Sequence, residues 1–216
     1  MSVFGNCSPP NSETRILLDV GCGEQPFRKL RGLDQYVYVG IEIPAATSSF
    51  GMSLSRTDIV LYDGERFPVH SKSVDLVLLL EVFEHVRERS KLFNEIERVL
   101  TSDGVVIVSV PWSARIHFRP DDYFRPTPFE IERLAAESGL KIVDVIPRGS
   151  SAAVIANKLL IGLVENLRAG RPSVVLFLLL IPLLGVLQLI GLLGIKFGIS
   201  NPSDPLGFTF KLRKTI

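Results

Sequence analysis

An apolar run that ends in an acid and turns at once through Gly-x-Gly constrains this chain more than any other feature. Residues 16–23 read Ile-Leu-Leu-Asp-Val-Gly-Cys-Gly, and a second apolar run, Tyr38-Val39-Gly40-Ile41-Glu42, also ends in an acid. This is the layout of a parallel α/β domain that holds a nucleotide-like ligand at the ends of its first two strands. Gly21 and Gly23 allow a tight turn and close backbone approach. Glu42 stands where a carboxylate can accept both hydroxyls of a ribose.

The wording of the motif separates two kinds of ligand. A dinucleotide site usually carries a third glycine after the pair, in the pattern Gly-x-Gly-x-x-Gly, but Gly21-Cys22-Gly23-Glu24-Gln25-Pro26-Phe27 has none. Asp19 repels a phosphate and suits a ligand bearing an amino group and a sulfonium. Asp19-Val20-Gly21-Cys22-Gly23 resembles motif I of the class I S-adenosylmethionine-dependent methyltransferases, with Gln25 in place of that motif's third glycine. Residues 21–28 resemble the Gly-x-Gly-x-x-Pro-[Tyr/Phe]-Arg variant of it.

The resemblance continues in order along residues 15–147. Asp63-Gly64-Glu65-Arg66-Phe67-Pro68 resembles the segment after the third strand. Residues 73–86, ending in Glu84-His85-Val86, resemble the Glu-His-Val block of the type-11 methyltransferases, and Leu92 to Pro111 the helix, turn and strand that follow. The resemblance implies a Rossmann-like three-layer α/β fold on a seven-stranded sheet with an antiparallel last strand. It implies S-adenosylmethionine as cofactor and S-adenosylhomocysteine as product. Asp19, Gly21 and Gly23 are then expected at the amino-acid end of the cofactor and Glu42 at the ribose. Asp63 and Gly64 are expected beside the adenine, and Glu81 over the reacting centre.

Strand signals fall at Arg15–Val20, Tyr36–Glu42, Asp58–Tyr62, Val74–Leu80 and Val105–Val110. They are short and apolar, as strands covered on both faces should be. Arg89–Leu100 carries a helical stripe of Leu92, Phe93, Ile96, Val99 and Leu100. Thr127-Pro128-Phe129-Glu130 is a capping box with proline at the first helical position, starting a helix to about Ser138. Ala45 to Ser55 is Ser-rich and predicts a crossover that is mostly loop. Lys141–Ile146 and Gly207–Lys214 alternate and suit the antiparallel last pair.

The domain expected from this pattern comprises residues 15–150 and 205–214, preceded by a loose arm over 1–14. It encloses a helical hydrophobic insertion over 151–204. Val174 to Ile195 carries no charged residue over 22 positions, close to the ~20 that cross a bilayer, and accounts for much of the mean hydropathy of +0.30. Both ends of the insertion return to one sheet, so a single crossing is excluded. A hairpin or an in-plane helix pair meeting membrane lipid is expected, bent near Pro182 and Gly185, with Arg168, Arg171 and Lys196 toward headgroups. A soluble dimer seam is the other reading. The expected location is the cytoplasmic face of a membrane, peripheral or monotopic.

Net charge is +1, which gives no broad electrostatic case for nucleic acid. Cys7 and Cys22 supply neither a disulfide framework nor metal-ligand spacing, and a reducing compartment suits them.

Methyl transfer from a sulfonium is an in-line displacement, so alignment and exclusion of water are the main demands. Neither a metal nor a covalent intermediate is required. A base is needed only when the acceptor loses a proton. His85 is expected on the first turn after the fourth strand, as a base or as a residue bonded to backbone. Residues 117–127, His-Phe-Arg-Pro-Asp-Asp-Tyr-Phe-Arg-Pro-Thr, resemble a segment of a methyltransferase subgroup linked to bacterial surface glycans. That resemblance makes His117 and Tyr123 catalytic candidates and Asp122 and Arg125 substrate-binding candidates. A small or lipid-linked acceptor, such as a glycan or lipid hydroxyl, follows. A membrane-attached protein of the same fold that binds the cofactor without turnover is the alternative, motivated by Gln25. An NAD-linked oxidoreductase is a third reading, disfavoured by Asp19.

Overall fold

The computed structural model describes residues 14–53, 58–170, 178–179, 181–196 and 204–215. Most of the expected N-terminal arm, positions 174–177 and 180 of the apolar run, and Arg171 lie outside the described residues.

Four strands follow the sequence reading closely, β1 (Arg15–Val20), β2 (Tyr36–Glu42), β3 (Ile59–Leu61) and β4 (Val74–Leu80), and a fifth, β5 (Leu100–Pro111), covers the expected one and extends before it. Two more, β6 (Leu140–Arg148) and β7 (Gly207–Lys214), complete a seven-stranded sheet in the order β3-β2-β1-β4-β5-β7-β6. Pairs from β3 to β5 are parallel, and the last strands run antiparallel. The sequence order reverses between β1 and β4. At such a switch point the strand ends part and leave a crevice for ligand.

The apolar strands bury Leu17, Leu18, Val77, Leu79, Val106 and Val108 almost completely. Helix α2 (Arg89–Val99) seats Leu92, Phe93, Ile96 and Val99 in that core. Its N-cap, Glu88, makes no side-chain cap. The helix is therefore held by its buried stripe, which contributes about 1.5–3 kcal/mol per large side chain. Helix α3 (Pro128–Glu137) starts on the expected capping box, with Thr127 Oγ1 accepting from Glu130 N–H at 3.3 Å. Among its described residues the second crossover holds one short helix, α1 (Ala46–Phe50), closed by Gly51 at φ +67°.

β5 begins five residues earlier than the sequence pattern indicated. Val74 pairs with Leu100 but Leu76 pairs with Val105, so Thr101–Gly104 is taken up as a bulge. An added Cβ on Gly104 would come 2.6 Å from Leu100 Cγ, and only glycine lets the bulge fold back on that side chain.

The chain divides into two units, residues 1–110, 116–145 and 209–216 in one, and 111–115 and 146–208 in the other. In the second, α4 (Ser151–Arg168) is capped by Ser150, whose Oγ accepts from Ala153 N–H at 3.3 Å. It lies against α5 (Ile181–Lys196) and buries Val154, Ala156 and Leu163. Pro182 is the second residue of α5, a position where its missing N–H costs no helical bond. Among the described residues no helix is long and apolar enough to cross a membrane.

Candidate functional site

A cleft of about 660 Å³ opens at the switch point, lined from the ends of β1, β2 and β4 and from the loop bearing His117. All of its lining residues belong to the first unit.

The loop after β1 is shaped by its glycines. Gly21 has φ +68° and donates its N–H to Ile41 O at 3.0 Å. A Cβ there would sit 2.5 Å from Val82 Cγ2, so no other residue fits without moving the β4 end. Gly23, at φ +51°, donates its N–H to Glu42 Oε2 at 2.9 Å. Gln25, the departure from motif I, adopts φ +58° itself. It takes the left-handed conformation a glycine would take, at a cost of about 1–3 kcal/mol.

Two buried carboxylates face this loop. Asp19 is 2% exposed and accepts from the Tyr38 hydroxyl. Burial pushes its pKa up to about 6; the Tyr38 bond opposes the shift and the nearby Glu42 charge adds to it. Glu42, also buried, accepts Ile43 N–H on Oε1 at 2.8 Å besides Gly23 N–H on Oε2. Each of its oxygens keeps a second lone pair.

Of the pair after β3, Gly64 lines the cleft. The Asp63 carboxylate instead closes its own turn, accepting from Glu65 N–H at 2.9 Å and Arg66 N–H at 3.2 Å, and those bonds hold it below the usual carboxylate range. Glu81 lines the cleft at φ +55°, and its Oε1 accepts from Ser109 Oγ at 2.8 Å. A non-glycine residue held left-handed at a cleft stores strain where ligand arrives.

His85 lies on a 3-10 turn, Phe83–His85, and not on a regular helix. Its Nδ1 meets the Asp121 carbonyl. A carbonyl only accepts, so Nδ1 carries the proton and Nε2 presents a lone pair. His117 comes beside it, ring centroids 5.0 Å apart. Both rings line the cleft.

Asp122 and Arg125 are engaged with each other and with His117. Arg125 Nη2 donates to Asp122 Oδ2 at 2.7 Å, and His117 Nδ1 lies 3.2 Å from the same oxygen. That guanidinium holds the Asp122 carboxyl far below its ordinary range. Arg125 Nη2 also approaches His117 Nδ1 at 3.4 Å, the longer and weaker of the two contacts on that nitrogen. The Tyr123 hydroxyl donates to Asp121 Oδ1 and accepts from Arg87 Nε at 2.9 Å. The two substrate-binding candidates thus buttress His117, and the Tyr123 phenol is tied into a surface network.

Sequence reasoning gave no role to Glu84. Its side chain is fully buried, and neither carboxylate oxygen has a hydrogen-bond partner. Oε1 stands 3.7 Å from Nε2 of both His85 and His117. Burial raises its pKa to about 7, against the pull of its own backbone bond, His117 and Arg125. The only sequence signal was its place before His85, and the 32-residue interval from His85 to His117 conceals the cluster.

Residues 18–108 match a family profile described as "Methyltransferase domain". A Mycobacterium tuberculosis protein named "Probable S-adenosylmethionine-dependent methyltransferase" is 28% identical over 134 residues, covering 59% of this chain and 46% of its own. A similarly named Mycolicibacterium smegmatis protein is 31% identical over 123 residues, covering 56% and 47%. The chain spans about half the length of the curated relatives it matches. Among solved structures, an Archaeoglobus fulgidus S-adenosylmethionine-dependent methyltransferase superposes with TM-score 0.58 at 14% identity, covering 93% of this chain and 86% of that one. A Brevibacillus brevis polyketide-synthase O-methyltransferase, in complex with S-adenosylhomocysteine, gives 0.56 at 24%, covering 93% and 66%.

Residues 18–108 are thus similar to a methyltransferase domain, and the seven-stranded sheet has the fold of the methyltransferase structures it superposes on. The curated relatives are named for dependence on S-adenosylmethionine. The loop fits that group, since two buried carboxylates stand beside its left-handed glycines on the cleft.

Proposed function

We propose that this protein transfers the methyl group of S-adenosylmethionine to a hydroxyl of a small or lipid-linked acceptor, a glycan intermediate or a lipid, at the cytoplasmic face of a membrane. The observation that carries the reading is the convergence of the Asp19 and Glu42 carboxylates, two left-handed glycines, and the paired imidazoles on one cleft.

Asp19 attracts the cationic amino-acid end, Gly21 and Gly23 admit the backbone to contact, and Glu42 accepts the ribose hydroxyls. Gly64 edges the base, with Asp63 setting its turn. The cofactor when bound supplies an activated methyl on a positive sulfur. Glu81 and the His85–His117 pair stand over the reacting atoms, and the acceptor proton leaves toward that pair. The apolar lining excludes water. The test is product S-adenosylhomocysteine formed with extracted lipid or glycan acceptors. Binding of the cofactor without product in every acceptor pool would favour the non-catalytic alternative.

Membrane attachment is supported by α5, which exposes Ile181, Leu183, Val186, Leu189, Ile190 and Leu193. At 1.5 Å per residue its length is about 24 Å, which suits a helix lying in the interface plane. Sedimentation with anionic liposomes tests this. Replacing Val186 and Leu189 together by Asp should release the protein, and unchanged partition rejects the proposal.

A further inference from the structure

We propose that Glu84, His85 and His117 form a binding site for one divalent first-row transition-metal ion at the edge of the cleft. This deepens the reading above and changes one step of it: an ion so placed occupies both imidazole lone pairs, so it replaces them in activating the acceptor, lowering the pKa of a bound hydroxyl so that its proton passes to solvent, and it favours oxygen as the methylated atom.

The argument begins with an electrostatic mismatch. The Glu84 carboxylate is wholly buried and its two oxygens lack hydrogen-bond partners. A buried carboxylate in that state is costly unless a positive charge compensates it. Its own backbone N–H and the charge on Arg125 favour the ionised form, but no neighbouring side chain donates a hydrogen bond to it. The Asp121 carbonyl fixes the proton of His85 on Nδ1, so the Nε2 facing Glu84 is a lone pair. The Asp122 carboxylate, 3.2 Å from Nδ1 of His117, does the same for that ring. Two lone pairs and an anionic oxygen therefore converge on one point. Arg125 directs two of its nitrogens to Asp122.

The dimensions suit an ion. The three ligand atoms lie within 4.8 Å of one another. Ligands at about 2.1 Å from an ion sit roughly 3–3.5 Å apart, so the 3.7 Å separations need to contract by only a few tenths of an ångström. Two imidazoles and a carboxylate select borderline metals such as Zn²⁺, Fe²⁺, Co²⁺ or Mn²⁺ over Mg²⁺ or Ca²⁺. A histidine ligand usually gives its other N–H to a carbonyl or carboxylate, and here one ring meets each kind. His85 and His117 also line the cleft, so the ion is open to ligand on that side.

The test is titration of chelator-treated full-length protein with Co²⁺, without cofactor, followed by visible absorbance and calorimetry. One equivalent should bind with a ligand-field spectrum. Glu84→Gln and His117→Ala should each weaken binding at least tenfold. Asp122→Asn, which removes only a positioning group, should weaken it about 10–100-fold while leaving the ligands in place. Absence of a spectrum at millimolar Co²⁺, or equal affinity in wild type and His117→Ala, overturns the metal site and leaves a shared proton as the compensating charge. Cofactor affinity, measured separately on the metal-free protein, tests the methyltransferase reading independently of this result.

Discussion

Asp19 makes opposite demands on stability and on binding, and its replacement by Asn should separate them. Its folded pKa is near 6, raised chiefly by burial from 3.8. A carboxyl raised in this way stabilises the fold relative to its charged state below 3.8, and that contribution is lost as pH rises through about 6. At pH 8 the buried charge costs at most about 3 kcal/mol. Because the group is 2% exposed, solvent screening relieves little of it. Asn keeps an acceptor for the Tyr38 hydroxyl and carries no charge. Asp19→Asn should therefore be more stable than wild type at pH 8, by up to about 3 kcal/mol or roughly 6–12 °C in Tm, and indistinguishable at pH 4. The same change should weaken S-adenosylmethionine, whose positive end loses its counter-charge, and wild-type affinity should itself fall as pH drops below 6. Urea unfolding at both pH values and calorimetry with the cofactor measure the two effects. A variant that is less stable at pH 8, or that binds the cofactor as well as wild type, would refute the reasoning.

Gly21→Ala places a methyl group 2.5 Å from Val82 Cγ2 at φ +68°; a loss of about 1–3 kcal/mol in stability and of cofactor binding should appear in thermal melts and calorimetry. Glu42→Ala should weaken the cofactor by about 1–3 kcal/mol, and an unchanged dissociation constant would remove it from the site. Phe93→Ala empties a fully buried position of α2 and should cost about 3–5 kcal/mol in urea unfolding.

The strands were legible because each is a short apolar run bounded by turn residues, and β1, β2, β4 and β7 fall on the expected limits. Their buried faces leave little freedom of register. The α3 start was legible because a capping box is a local chemical device. The β5 start was missed because the bulge over Thr101–Gly104 depends on Leu100 packing back over Gly104, a contact no window of sequence displays. Asp122 and Arg125 illustrate the same limit at the site. Their residue types suit substrate binding, yet their charges are engaged with one another. Gln25 marks the converse case, since a residue that breaks the motif in sequence keeps a glycine-like backbone in space.

What the sequence by itself determined is the parallel sheet, the acid-and-glycine corner after β1, and the acid closing β2. These depend on hydrophobic period and on backbone freedom, which act over a few residues. Only the tertiary structure decided the company those residues keep. It put Glu84 beyond reach of water, set His117 beside His85 across 32 positions, and turned the Asp63 carboxylate onto its own backbone. Burial and charge pairing are properties of three-dimensional neighbourhoods, and chain order does not encode them one residue at a time.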